Sequence, residues 1–93
     1  MNNLARLAIA ANQQAHDIRQ ARAEINNAKH SNAFRRSVVN YWEPKLVKAA
    51  NSIIRRANNH GIRSNRHGPH TAAYYNTLVN LIHAKMRSPS RAR

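Results

Sequence analysis

The sequence predicts an all-α fold, a small basic helical bundle of three to four helices with a long N-terminal helix. Three observations carry that prediction. Apolar residues recur three and four apart along almost the whole chain, which is the period of a helix with one buried face. Only two glycines and three prolines interrupt the pattern in 93 residues. Sixteen Lys and Arg stand against three acids, a formal charge of +13, so self-repulsion opposes compaction unless a polyanion neutralises it. The length allows a single domain, 1–93, whose core is small: a chain of this size buries only about 60 to 65% of its unfolded surface.

The first helix is expected from about Asn3 to Lys29. Leu4, Leu7, Ala11, Ala15, Ile18, Ala21, Ile25 and Ala28 form one narrow, alanine-rich stripe on it. Such a stripe admits a close neighbour, either another backbone or a nucleic-acid groove, yet buries little area by itself. Positions 4, 11, 18 and 25 also keep a seven-residue repeat, so a coiled-coil homodimer competes, weakened by Gln14 and the scarcity of Leu. From Met1 to His16 there is no acid and one Arg6, as in an organellar targeting helix; a chain that still carries Met1 is expected to retain that segment.

His30, Ser31 and Asn32 make a polar junction in which Ser31 or Asn32 caps a short second helix, its apolar face formed by Phe34, Val38, Tyr41 and Trp42. Glu43 and Pro44 open a third helix, since Pro at the first helical position loses no hydrogen bond. Leu46, Val47, Ala50, Ile53, Ile54 and Ala57 give its core face, and Gly61 ends it in the left-handed conformation. Residues Ile62 to His70 (IRSNRHGPH) read as an exposed loop. Thr71 then caps a last helix to Met86, with Tyr74, Tyr75, Leu78, Leu81, Ile82 and Met86 inward. The basic tail 88–93 (SPSRAR) has no apolar anchor and is expected to order only on phosphate.

Several chemistries lack their residues. With no cysteine there is no disulfide or thiolate metal site, and three carboxylates with six histidines, including the pair in His67-Gly-Pro-His70, do not assemble a zinc set, so no metal and no cofactor are expected. Asp17 and Glu24 read as intrahelical ion-pair partners of nearby Arg, not as catalytic acids. No glycine-rich phosphate loop and no activated nucleophile is present, so neither an enzyme nor a small-molecule substrate is expected. No apolar run approaches the roughly 20 residues of a membrane span.

The cations carry the functional reading. Twelve of the sixteen are Arg, the side chain suited to bidentate phosphate contacts. They form spaced clusters: Arg35 with Arg36, Arg55 with Arg56, Arg63 with Arg66, and Arg87 with Arg91 and Arg93. Arg19 and Arg22 on the first helix and Lys29 at its end join them as candidate contacts. A merely solvated basic face is the competing explanation for any one of these. The aromatics sit at helical spacing and are expected mainly in the core, with base stacking by Trp42 or Tyr75 the minor reading.

Two segments carry a resemblance. Lys29 to Ser37, KHSNAFRRS, and Ile53 to Ile62, IIRRANNHGI, with Asn65, His70 and Ala72 following, resemble stretches of the bacterial-type small-subunit ribosomal protein family that is twentieth in that subunit's numbering. The resemblance covers about a quarter of the chain. It departs from the family in a first helix with far fewer cations and in a Ser37 to Gly61 stretch shorter by three to four turns, as in a reduced, for instance organellar, version. It implies a bundle bound to ribosomal RNA, with Lys29, His30, Asn32, Arg35 and Arg36 as RNA contacts of the first segment and Arg55, Arg56, Asn65 and His70 as those of the second. The expectation is therefore a structural RNA-binding protein of the small ribosomal subunit, cytoplasmic or organellar, with neighbouring ribosomal proteins as further partners. The first helix would lie along the RNA while the last two pack as a hairpin, and A-form grooves would restrict recognition to phosphates, shape and 2′-hydroxyls. Two alternatives from other classes are a packaging protein coating duplex DNA in a virion or nucleoid and an amphipathic module for a protein or an anionic membrane.

Overall fold

The computed structural model describes residues 2–87, and these form three helices: α1 (Asn3–Asn27), α2 (Asn32–Asn59) and α3 (Ala72–Arg87). The expected all-α bundle with a long first helix is what the chain forms. Caps start all three helices and stop α2, and those at Ser31, Thr71 and Gly61 are the ones the sequence predicts. Asn2 Oδ1 accepts from the Ala5 N–H at 2.7 Å, Ser31 Oγ from the Phe34 N–H at 3.2 Å, and Thr71 Oγ1 from the Tyr74 N–H at 3.2 Å. At the end of α2, Gly61 takes φ +71°, the Ile62 N–H donates to the Ala57 carbonyl and the Gly61 N–H to that of Asn58, both at 2.9 Å. Ile62 and Ala57 are both buried in the same cluster, which supplies the apolar contact that accompanies this type of helix end. Ile62 is accordingly part of the core, although it opens the stretch read as an exposed loop.

The order of packing differs from the expected one. α1 packs closely on both other helices, α2 running antiparallel to it after a tight turn and α3 antiparallel to it as well, while the backbones of α2 and α3, which run parallel, stay apart and meet only through side chains of the shared core. The expected hairpin of the last two helices is therefore absent. α1 can serve two neighbours because Ala8 and Gln14 are also buried beside Leu7, Ala11, Ala15 and Ile18, making its apolar arc wider than the single stripe. From Leu7 to Ala15 the stripe is thus consumed inside the chain, and only its later part, from Ile18 to Ile25, borders open space. Gln14 is satisfied there: its Nε2 donates to the Leu46 carbonyl at 2.9 Å, tying α1 to α2.

The two expected helices on either side of Pro44 are one helix of 28 residues with Pro44 inside it. Proline removes one donor, so the Asn40 carbonyl loses its helical partner. Asn40 is exposed, where water replaces that bond, and Trp42, Leu46, Ala50 and Ile53 continue one buried or half-buried face across the proline.

α3 starts beside the middle of α1 and ends at the end of the bundle where α1 begins, its Lys85 Nζ donating to the His60 carbonyl at 2.7 Å. The molecule measures 59 × 22 × 19 Å and has two parts. In the base, three helices enclose a core with Leu7, Tyr75, Leu78 and Ile82 fully buried. In the arm, α1 and α2 alone continue around a smaller cluster of Ala21, Ala28, Val38 and Trp42. Beyond the start of α3 the cleft between α1 and α2 stays open, about 420 Å³ floored by Ile18, Ala21, Ile25, Val39, Trp42 and Leu46.

Five residues expected inward are not. Leu81 and Met86 on α3 are exposed, and Val79 takes an inward place. Phe34 and Tyr41 are 58% and 63% exposed, because only α1 covers α2 in the arm and a single neighbour cannot cover the whole apolar arc. Val47, also expected inward, is exposed on the rim of the open cleft.

Candidate nucleic-acid interface

The charged side chains are distributed along the rod in a way that helix spacing and topology together dictate. The α1–α2 turn places Lys29, His30, Asn32, Arg35 and Arg36 at the tip of the arm, all exposed. Arg22 stands on the same helix face as Ile18 and Ile25, four residues after one and three before the other, so it flanks the open cleft. Arg19, one turn earlier on α1, is exposed beside it.

The opposite end gathers a second group. Arg55 and Arg56 close α2, and the Lys85–His60 bond brings the end of α3, with Arg87, beside them. Arg56, Asn59 and His60 with Asn3 line a polar recess of about 380 Å³ at the start of α1, where the helix dipole adds positive potential. Arg63, Asn65 and Arg66 are exposed on the segment that joins α2 to α3.

His70 is carried elsewhere. That segment runs back along the bundle, and His70 lines the open cleft with Gln14, Ile18 and Leu46. With α3 about 22 Å long and its far end at His60, His70 is separated from the Arg56 end. The four residues that the resemblance groups as a second contact set are thus not gathered at one place. Arg91 and Arg93, and the expected phosphate-dependent tail 88–93, lie outside the described residues.

The carboxylates are placed differently from expectation. Asp17 accepts from Gln13 Nε2 at 2.9 Å, and Glu24 from Gln20 Nε2 at 3.0 Å and from Trp42 Nε1 at 2.8 Å. No cation stands three or four residues from either acid, so a glutamine, not an arginine, is the helical neighbour in reach. The Trp42 indole, then the Gln20 amide, hold the Glu24 carboxyl below the usual glutamate range. No three His, Cys, Asp or Glu come together among the described residues, and no helix among them is long and apolar enough to cross a membrane.

Sequence reasoning missed part of the basic surface. α2 carries Lys45 and Lys48 as well as its two Arg pairs, six cations against the single acid Glu43, whereas α1 carries three against two. The signal was present: Phe34, Tyr41, Lys48 and Arg55 follow one another at seven-residue intervals, a repeat that keeps one side of a helix. Assigning the aromatics to the core hid it.

The Arg35–Arg36 pair at the tip and the Arg55–Arg56 pair at the far end lie about 30 Å apart along α2, roughly four times the Debye length of about 8 Å at physiological salt. Each end consequently attracts anions without repelling the other, and the middle of the outer face of α1, with Asn12, Gln13, His16 and Gln20 exposed, is nearly neutral. Chemically the arrangement can neutralise two separate groups of phosphates and hold them a fixed distance apart. Searches for counterparts match nothing: no family model, no curated protein and no solved structure corresponds to this chain.

Proposed function

We propose that this protein is a structural, non-catalytic RNA-binding component of the small ribosomal subunit, bridging two elements of folded ribosomal RNA. The observation that carries the reading is the separation of two cationic ends on a rod whose acids are few and, for Asp17 and Glu24, turned to other partners. Counterion release at each end supplies affinity, and the fixed spacing supplies the preference for a folded RNA that presents two phosphate rows. The resemblance of segments 29–37 and 53–62 to the ribosomal family supports the same reading, since they fall at the two ends of α2 and so at the two cationic ends.

The test is sedimentation of the native protein from lysate with and without ribonuclease, followed by sequencing of crosslinked nucleic acid. Co-migration with the small subunit, lost on ribonuclease treatment and with crosslinks at one ribosomal RNA site, is the expected result. Migration with DNA or particles, insensitive to ribonuclease, discards the reading in favour of DNA packaging. Within the interface, Arg35→Ala with Arg36→Ala is expected to weaken RNA binding and reduce the salt slope by about one to two while helicity stays intact. An unchanged slope removes the tip from the contact.

A further inference from the structure

One side of α2 in the arm carries the exposed aromatics of the described residues, Phe34 and Tyr41. Phe34 and Tyr41 are seven residues apart, which places them within about 20° of each other around the helix and about 10.5 Å apart along it. Both are more than half exposed. The same side continues through Lys45, Lys48 and Arg55, all exposed, and the one acid of α2, Glu43, lines the open cleft on the other flank.

The rings are also set in place. Trp42 is anchored by its 2.8 Å bond to Glu24, and Tyr41 stands edge-on to Trp42 with centroids 5.2 Å apart and planes at 86°. Lys45 Nζ lies 5.7 Å from the Tyr41 ring centroid and 5.1 Å from that of Trp42, which keeps a cation beside the exposed aromatic. Between the rings and the cations the stripe holds Ser37, Ser52 and the exposed Pro44, while its nearest branched aliphatic, Val38, is buried against α1. A surface for a partner helix would need aliphatic area there; aromatic faces flanked by cations fit a base with its phosphate.

We infer that Phe34 and Tyr41 are a stacking platform for unpaired bases, with Lys45, Lys48 and Arg55 taking the phosphates of the same single strand. This rests on the nucleic-acid reading above and narrows it: the ligand presents an unpaired segment, because in a duplex both faces of each base are already stacked. It also separates the protein from a pure coat for duplex DNA.

The experiment uses the full chain with two labelled probes of equal phosphate count, an unstructured single-stranded RNA and a blunt RNA duplex. The double variant Phe34→Ala with Tyr41→Ala is expected to lose about thirtyfold or more in affinity for the single strand, the low end of what two lost base stacks cost, while duplex affinity and salt slope hold. The double variant Phe34→Tyr with Tyr41→Phe is expected to keep single-strand affinity, and Trp42 emission in the wild type is expected to change when the single strand is added. Because both side chains are exposed, circular dichroism of the alanine variant is expected to match the wild type. Unchanged single-strand affinity, or an equal loss on both probes, overturns the platform and leaves the nucleic-acid reading standing. A wild type that binds neither probe removes that reading and the platform with it.

Discussion

The base and the arm are built from the same two long helices, yet one is a closed core and the other an open one. In the base, α3 covers the cleft between α1 and α2, and Leu7, Tyr75, Leu78 and Ile82 are removed from water. In the arm nothing among the described residues covers it; the cluster of Ala21, Ala28, Val38 and Trp42 is made mostly of small side chains, and Phe34 and Tyr41 remain outside. Buried apolar area sets most of the stability of each part. The base therefore holds the fold, while the arm, which opens at lower free energy, is the part that presents aromatics and cations to a ligand.

The strongest way to break this comparison is to substitute one core residue in each part. Leu78→Ala should cost about 2 to 5 kcal/mol of global stability in urea denaturation, whereas Val38→Ala should cost about 1.6 kcal/mol, two buried methyl groups' worth, and show mainly as faster amide exchange in the arm. Equal global effects would mean that the two parts unfold as one. Pro44→Ala restores the N–H that the Asn40 carbonyl lacks. It should stabilise the arm by about 1 to 3 kcal/mol, read as slower exchange around Asn40 with the base unchanged; a destabilised arm would show that the ring itself is needed there.

Gly61→Ala should cost about 1 kcal/mol or slightly more, because the site has room for a methyl but φ +71° strains any residue with a Cβ. The loss belongs to the base, where Ile62 is locked down, so exchange at Ala57 and Ile62 should rise while the arm is silent.

The smallest expected effects are pH-dependent and of opposite sign in the two parts. Glu24 is held below its ordinary value by Trp42 and Gln20, so its contribution is present above the unfolded glutamate range and is lost as pH falls through the lower folded value. Trp42 emission should shift in acid, before far-ultraviolet circular dichroism reports the loss of helix. Burial pushes the Tyr75 and Tyr74 hydroxyls up, so their contribution is complete below the unfolded tyrosine value of about 10 and is lost as pH rises through the higher folded values. Alkali should therefore loosen the base first. A base that loosens in acid together with the arm would contradict the assignment of these groups.

Much of this was legible in the sequence wherever a short segment decides its own conformation. Ser31, Thr71 and Gly61 act as the caps their positions imply, because each bond involves atoms three to five residues away. Most of the candidate cations are exposed as expected, since charge resists burial whatever the packing. Less legible were the sides of the helices. Tyr41 and Trp42 are neighbours with similar side chains, yet one is 63% exposed and the other 7%. Only the direction of α1 tells them apart.

By itself, then, the sequence determined the helical content, the caps, the excess of positive charge and the lack of thiolate chemistry. Each of these follows from residue type or from hydrogen bonds within a turn. Tertiary structure alone decided that α1 packs on both other helices, that α2 passes through Pro44 unbroken, that His70 leaves the Arg56 end, and that two aromatics face outward beside three cations. Those outcomes depend on which long-range partner covers a given face. Covering a whole face is worth several kilocalories per mole, enough to override a local preference of about 3 kcal/mol such as that of proline against a helix interior.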